Sequence, residues 1–237
     1  MKKLAVPVFT VLGAIGFVVS IYLIFMKTEL EYGVDANGRL AGSSLFFNQK
    51  IFYFHIAHAI MLFLAVFVAG ISSILFLWKR RATFDDIASA STEVAVAFGA
   101  AVLVTGSIWA KAAWDVWWNW EPRLTMSLLL WLILVGYVLV RRFAGPSADR
   151  VAAGMAIFGM VGVPFIYTMV GQDSHPASGA NGVVFTLGAR LLPAFLASMG
   201  TFLCWYVALV VARIQSTRDE REVRELHEQA LDLGVLS

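Results

Sequence analysis

Residues 51–78 read IFYFHIAHAIMLFLAVFVAGISSILFLW, without a single Asp, Glu, Lys or Arg. A bilayer core is crossed by about 20 apolar residues in a helix. This run exceeds that length, so it tilts or extends past the interface. Hydrocarbon offers backbone N–H and C=O groups no water partner, so a spanning segment must satisfy them internally, as a helix does. The strict apolar/polar alternation of a barrel strand is absent.

Five further stretches meet the same test, at about 5–26, 87–110, 124–140, 151–171 and 189–212. The expected fold is therefore an all-α polytopic membrane protein with six transmembrane helices. Composition agrees. The chain is 59% hydrophobic and 14% charged, with a mean hydropathy of +0.76, against about 25% charged residues in soluble domains. The opening Met1-Lys2-Lys3 resembles a signal peptide, but the apolar run that follows, to about Met26, outlasts an h-region of about 7–15 residues and ends in no small-x-small site. It is expected to be a retained first span. The single cysteine, Cys204, forms no internal disulfide and reads as a small apolar residue, and no CxxCH is present. Pro164 and Pro193 are candidate kinks. The domain reading is one six-helix membrane domain, 1–212, carrying an outer Trp-rich loop at 109–123, followed by a cytoplasmic tail, 213–237.

Lysines and arginines orient the spans. Lys2, Lys3, Lys79, Arg80, Arg81, Arg141, Arg142, Arg150, Arg213, Arg218, Arg221 and Arg224 fall on one side. Lys27, Arg39, Lys50, Lys111, Arg123 and Arg190 fall on the other, a count of 12 against 6. The positive-inside rule then puts both termini in the cytoplasm and the loops at 27–50, 111–123 and 172–188 outside. In the tail, Glu220/Arg224 and Arg221/Glu225 stand at i,i+4, as on a solvated helix. A docking surface for a cytoplasmic partner is the alternative use of that charge.

Five of the eight tryptophans lie between 109 and 120: Trp109, Trp114, Trp117, Trp118 and Trp120. An interfacial aromatic belt explains one or two per helix end, not five in one short loop. Trp114, Trp117 and Trp118 are spaced i, i+3, i+4, so a helix would place them on one face as an apolar platform edged by indole N–H donors. Such a platform suits a large planar ligand. Pro122 biases Glu121 away from helical geometry and suits the first turn of the fourth span. Arg123 then stands at that helix's mouth, able to pair with a carboxylate or to serve as a snorkelling charge.

Three of the four histidines, His55, His58 and His175, fall at or near the outer side; His227 lies in the charged tail. His55 and His58 are about one turn apart and near one helical face. Intramembrane ionisable residues are costly and default to functional roles, although a lone membrane histidine also serves helix–helix hydrogen bonding. Two imidazoles from separate elements on the side that carries the tryptophans would make a bis-His haem. His58 reads as packing or support, with ligation in place of His55 left open. No compact Cys/His cluster of a zinc site is present.

The segment Trp114-x-x-Trp117-Trp118-x-Trp120-Glu121-Pro122-Arg123-Leu124-Thr125, with its lead-in Thr105-Gly106-Ser107-Ile108-Trp109-Ala110-Lys111, resembles the tryptophan-rich "WWD" signature of haem-handling proteins. It fits best the CcmC-type haem exporter C of bacterial cytochrome c maturation, in length, span number and topology as well. The resemblance implies a bacterial inner-membrane protein that holds haem b on the tryptophan loop and passes it to a periplasmic haem chaperone (CcmE-type). It also implies partners: an ABC-transporter ATPase and its membrane subunit (CcmA/CcmB-type) and a small single-span subunit (CcmD-type), beside the lipid bilayer and without nucleic acid. It makes His55, in a Tyr53-Phe54-His55 context, and His175 the axial ligands of haem iron. Trp114, Trp117, Trp118, Trp120 and Glu121 would pack the ring, and Arg123, with Lys111, would offer charge to the propionates. Three departures stand out. Asp115 occupies a position where the family usually has Gly, Glu121 one where it has Asp, and His58 one where a small residue or Pro is common.

No nucleophile or general acid/base pair is visible, so the expected role is binding and delivery, not catalysis. A CcsA-like haem–cytochrome c synthetase is a rival, but would carry further spans and a larger periplasmic module. A transporter or redox haem protein is another. It would show more intramembrane charge, for which Glu93 is the main candidate, or histidines distributed across the bilayer.

Overall fold

The centre of the protein is an antiparallel pair, α2 (Ser43–Lys79) and α3 (Ala82–Trp114), joined by the turn Arg80-Arg81. The computed structural model describes residues 2–28, 33–34, 40–41, 43–145, 148–168 and 191–233. Around the pair stand α1 (Lys2–Tyr22), α4 (Pro122–Phe143), α5 (Ala148–Thr168) and α6 (Leu192–Asp232). α1 packs on α6, and α4 and α5 pack on each other and on the central pair. All six helices are long and apolar enough to cross a membrane, so the expected six-span, all-helical architecture holds. A minimal antiparallel pairing, β1 (Gly33–Val34) with β2 (Leu40–Ala41), decorates the α1–α2 connection.

Two boundaries differ from the sequence reading. α2 begins at Ser43, not near 51, because extending an existing helix over a polar segment costs far less than nucleating one. The first connection is shorter than 27–50 as a result. Lys50 sits inside α2, buried, and its ammonium donates to the carbonyls of Ile24 and Thr28. Those carbonyls lie in and just past the π-helical turn Leu23–Lys27 that continues α1 and is closed by the Thr28 N–H donating to the Leu23 carbonyl, and a helix C-terminus favours a cation. At the other end of the chain, α6 runs unbroken through Asp232, so membrane span and tail are one rod. Pro193 falls in its first turn, where the missing N–H disturbs no bond, and is not a kink. Pro164 lies inside α5.

Small residues let the helices approach, as membrane packing requires in the absence of a hydrophobic drive between helices. Ala65, Ala69, Ala90, Ala95, Ala152 and Ala156 are all buried. On α1, Ser20 Oγ lies 3.1 Å from Thr201 Oγ1 of α6. Between α3 and α4, Trp131 Nε1 donates to the Val96 carbonyl at 3.0 Å. A Cβ at Gly99 would stand 2.5 Å from that indole, so only glycine admits it.

Ion pairs gather where the α2–α3 turn meets the charged half of α6. Arg141 grips Asp85 through both carboxylate oxygens, at 2.6 and 2.9 Å. Arg213 pairs with Glu93, the main intramembrane charge, at 2.5 Å. Arg221 and Arg218 converge on the buried Asp86, at 2.5 and 3.5 Å, and Glu220 takes Arg213 at 3.2 Å. Among the described residues, Arg221 thus reaches Asp86 of α3 and Glu220 takes Arg213 within α6, in place of the expected i,i+4 pairs with Glu225 and Arg224. The start of the tail is pinned, not freely solvated.

Candidate functional site

At the opposite end of the bundle, α2, α3 and α4 diverge around a cleft. It is lined by His55, Ile56 and Phe63 of α2, by Gly106 and Trp109 of α3, and by Arg123, Leu124 and Ser127 of α4, with Trp118 over its mouth. Its cavity volume of about 90 Å³ is well below the roughly 300–1,000 Å³ of a pocket that engulfs a ligand. It can take the edge of a large planar molecule, not the whole of one.

His55 is buried at 8% exposure. Its Nδ1 lies 2.9 Å from Thr105 Oγ1 on α3, and its ring meets Trp109 edge-to-face at 5.4 Å. The residue after Thr105 is glycine, and a Cβ there would stand 3.1 Å from His55 Cε1. Thr105, Gly106 and Trp109 thus form a fitted socket for the imidazole.

His58, three residues on, faces elsewhere. Its Nδ1 donates to the Phe54 carbonyl at 2.7 Å, and its ring packs on Phe202 of α6, 4.1 Å between centroids. Three residues leave two side chains about 60° apart around a helix. Here that rotation is enough to put His55 in the α3–α4 cleft and His58 against α6, so two rings near one helical face enter different grooves. His58 is a packing residue in this geometry.

The tryptophans do not form one helical face. α3 stops at Trp114 because Asp115 takes the left-handed conformation, φ 60 and ψ 19, and residues 115–121 run without helix to Pro122. The i, i+3, i+4 argument therefore fails at its first step. Trp109 and Trp114 belong to α3, and the linker proper carries Trp117, Trp118 and Trp120. Trp118 turns into the cleft, while Trp117 and Trp120 are 62% and 74% exposed. The Trp118 and Trp120 rings meet edge-on at 5.8 Å.

Glu121 caps α4 from extended backbone, with Pro122 in the first turn, as the sequence indicates. Burial raises its carboxyl above the ordinary 4.5, with nearby Arg123 pulling the other way. Glu121 Oε1 and Trp118 Nε1 are sealed from solvent and have no hydrogen-bond partner. Buried polar atoms are almost always paired, so these two, three residues apart on the linker, are open to a further partner. Lys111 is engaged differently from expectation. Its ammonium binds the Asp115 carboxylate at 2.6 Å, and that hydrogen bond holds Asp115 below its ordinary range.

His55, Trp118 and Arg123 are thus brought together at the cleft, with Glu121 beside Arg123 at the start of α4 and Trp117 and Trp120 on the linker. His175 lies outside the described residues, as does the Trp114 side chain. Among the described residues no cluster of three His, Cys, Asp or Glu could hold a metal ion. The sequence reading assigned no part to Thr105, Gly106, Leu124 or Ser127. Gly106, a glycine inside a long apolar helix, was the available signal, since such a residue often marks close approach.

A family model described as CcmC, Heme exporter protein C, matches residues 1–229. The Heme exporter protein C of Bradyrhizobium diazoefficiens is 32% identical over 186 residues, 75% of this chain and 69% of the relative. That of Escherichia coli strain K12 is 31% identical over 132 residues, 52% and 51% of the two chains. A putative cytochrome c biosynthesis ccmC-like mitochondrial protein of Marchantia polymorpha is 34% identical over 119 residues, 50% of each. The chain thus spans about half the length of these last two relatives. Because the family match runs through all six helices and takes in every described wall of the cleft, this chain belongs to the CcmC family of heme exporter protein C.

Proposed function

We propose that the protein binds haem at the outer face of a bacterial inner membrane and delivers it to a periplasmic haem chaperone during cytochrome c maturation. Family membership and the name of the Bradyrhizobium relative support a role in haem handling, and the name of the Marchantia relative supports cytochrome c biogenesis. The observation that carries the site is the convergence of His55, Trp118 and Arg123 on one cleft, with the buried Trp118 Nε1 left unpartnered there.

In this reading the haem, as cargo, brings an iron that accepts imidazole nitrogen. His55 supplies one axial nitrogen from its socket, and His175 the other. The cleft admits one edge of the ring, and Trp117 and Trp120 cover the part that stays outside. Arg123 meets a propionate, Trp118 Nε1 donates a hydrogen bond to it, and Glu121 keeps the local charge balanced. The site assigns no catalytic residue. Handover requires a chaperone to compete for one axial position. The ATPase, its membrane subunit and a single-span subunit are the partners implied by family kinship, and the charged half of α6 is the cytoplasmic face available to them.

The test is the visible spectrum of the purified protein beside His55→Ala and His175→Ala variants. Haem that is retained by wild type and weakened or altered in both variants supports the two-histidine site. A wild type that takes up no haem when supplied with it removes the site.

A further inference from the structure

The hydrogen bond between His55 and Thr105 has a direction that the surrounding bonds determine. Thr105 Oγ1 has one proton. Its short contact is to the Ala101 carbonyl, 2.6 Å one turn back, with the Val102 carbonyl more distant at 3.3 Å. Both are acceptors, so the hydroxyl proton is committed to the backbone of α3. What Thr105 has left for His55, at 2.9 Å, is a lone pair. Nδ1 must then carry the ring's proton, and Nε2 is the nitrogen with a free lone pair.

Sterics hold this arrangement in place. Gly106 lets the Cε1–Nδ1 edge lie against α3, and Trp109 walls the ring at 89°. A ring flip would set a carbon against the Thr105 oxygen and forfeit the bond. Ligating histidines generally donate their other N–H to a carboxylate, carbonyl or water, which fixes tautomer and orientation. Here a neutral hydroxyl takes that place at 2.9 Å, with the Val102 carbonyl a second acceptor for the same ring.

We propose that Thr105 is a positioning residue for the haem site: by accepting from His55 Nδ1–H it commits the imidazole to the tautomer that offers Nε2 to the cleft. This rests on the reading of His55 as a haem ligand. A neutral acceptor polarises the ring less than a carboxylate would, so the nitrogen it presents is a moderate donor, in keeping with a cargo that must leave.

The experiment uses the full chain purified in detergent and ferric haem as the probe. Thr105→Val keeps the shape and removes the acceptor; Thr105→Ser restores it. Thr105→Val is expected to weaken haem binding about 10–100-fold, the usual cost of losing such a support, and to shift the low-spin EPR signature, with Thr105→Ser returning both towards wild type. Binding and EPR unchanged in Thr105→Val overturn the proposal. His55→Ala in the same series separates the two claims. If it leaves the haem signature untouched, the ligand reading itself fails. If it abolishes the signature while Thr105→Val changes nothing, only the role of Thr105 fails. Nitrogen-15 NMR of histidine-labelled haem-free protein, with His55→Ala for assignment, reads the tautomer without any Thr105 variant having to fold. Nδ1 protonated is the expected state, and Nε2 protonated overturns the proposal.

Discussion

Lys111 and Asp115 close the end of α3 on each other. The Asp115 N–H donates to the Lys111 carbonyl at 3.1 Å, and the Lys111 ammonium returns to the Asp115 carboxylate at 2.6 Å. This clasp holds a non-glycine residue at φ 60, a conformation in which glycine is free of strain and aspartate is among the better-tolerated alternatives. It explains how a residue other than glycine stands at this turn.

Asp115→Gly is therefore expected to be nearly neutral. The relief of left-handed strain offsets the loss of an exposed, solvent-screened pair. Asp115→Val has no such offset and should lower stability by about 1–2 kcal/mol, with weaker haem retention as the tryptophan linker shifts. Thermal melts in detergent together with haem titration check both. A melt in which Val matches Gly would show that this turn does not depend on its backbone conformation.

Gly106→Ala should separate stability from binding. Alanine favours a helix over glycine by about 1 kcal/mol, yet its methyl would stand 3.1 Å from His55 Cε1. The melting temperature should hold or rise while haem affinity falls several-fold. Gly154, whose Cβ would meet nothing within 4 Å, is the control: Gly154→Ala should gain stability and leave haem unchanged. Equal haem binding in the two variants would argue against a fitted socket around His55.

Glu121 predicts a pH dependence with a definite sign. Burial raises its carboxyl above 4.5, so the folded state binds the proton more tightly than the unfolded one. Folding stability from this group is fully present below 4.5 and is lost as pH climbs through the raised folded value. Glu121→Gln cannot ionise. Its melting temperature relative to wild type should start level in acid, rise across that window and then stay flat. A difference that does not vary with pH would mean that the carboxyl titrates normally.

Arg141 and Asp85 form a largely buried two-bond pair, with Asp149 at 3.3 Å from the same guanidinium. Removing one partner of a buried pair typically costs about 3–5 kcal/mol, and removing both costs far less. Asp149 softens the loss, so Asp85→Ala is expected to destabilise by about 2–3 kcal/mol. The double variant Asp85→Ala, Arg141→Met should recover most of that. Melts of the two variants decide it; a double variant as weak as the single one would show that the pair itself, not the stranded charge, matters.

The sequence by itself determined the six helices, the end at which the tryptophans gather, and the cap Glu121-Pro122. Each follows from a one-dimensional cause: an apolar run longer than a bilayer, or a ring that forbids helical geometry in the residue before it. The structure decided what depends on distances between elements far apart in the chain. The tryptophan platform, read from spacing alone, dissolved because one residue, Asp115, adopts a left-handed backbone that spacing does not register. His55 and His58, about 60° apart on α2, parted because the neighbouring helices place a groove boundary between them, which the periodicity of α2 alone does not show. The tail's charges, legible as local pairs, found Asp86 and Glu93, more than 100 residues away, since a buried carboxylate holds an arginine more firmly than a solvated neighbour does. Thr105 acquired a role only when α3 lay beside α2, because a hydroxyl's hydrogen-bond direction depends on which partners surround it.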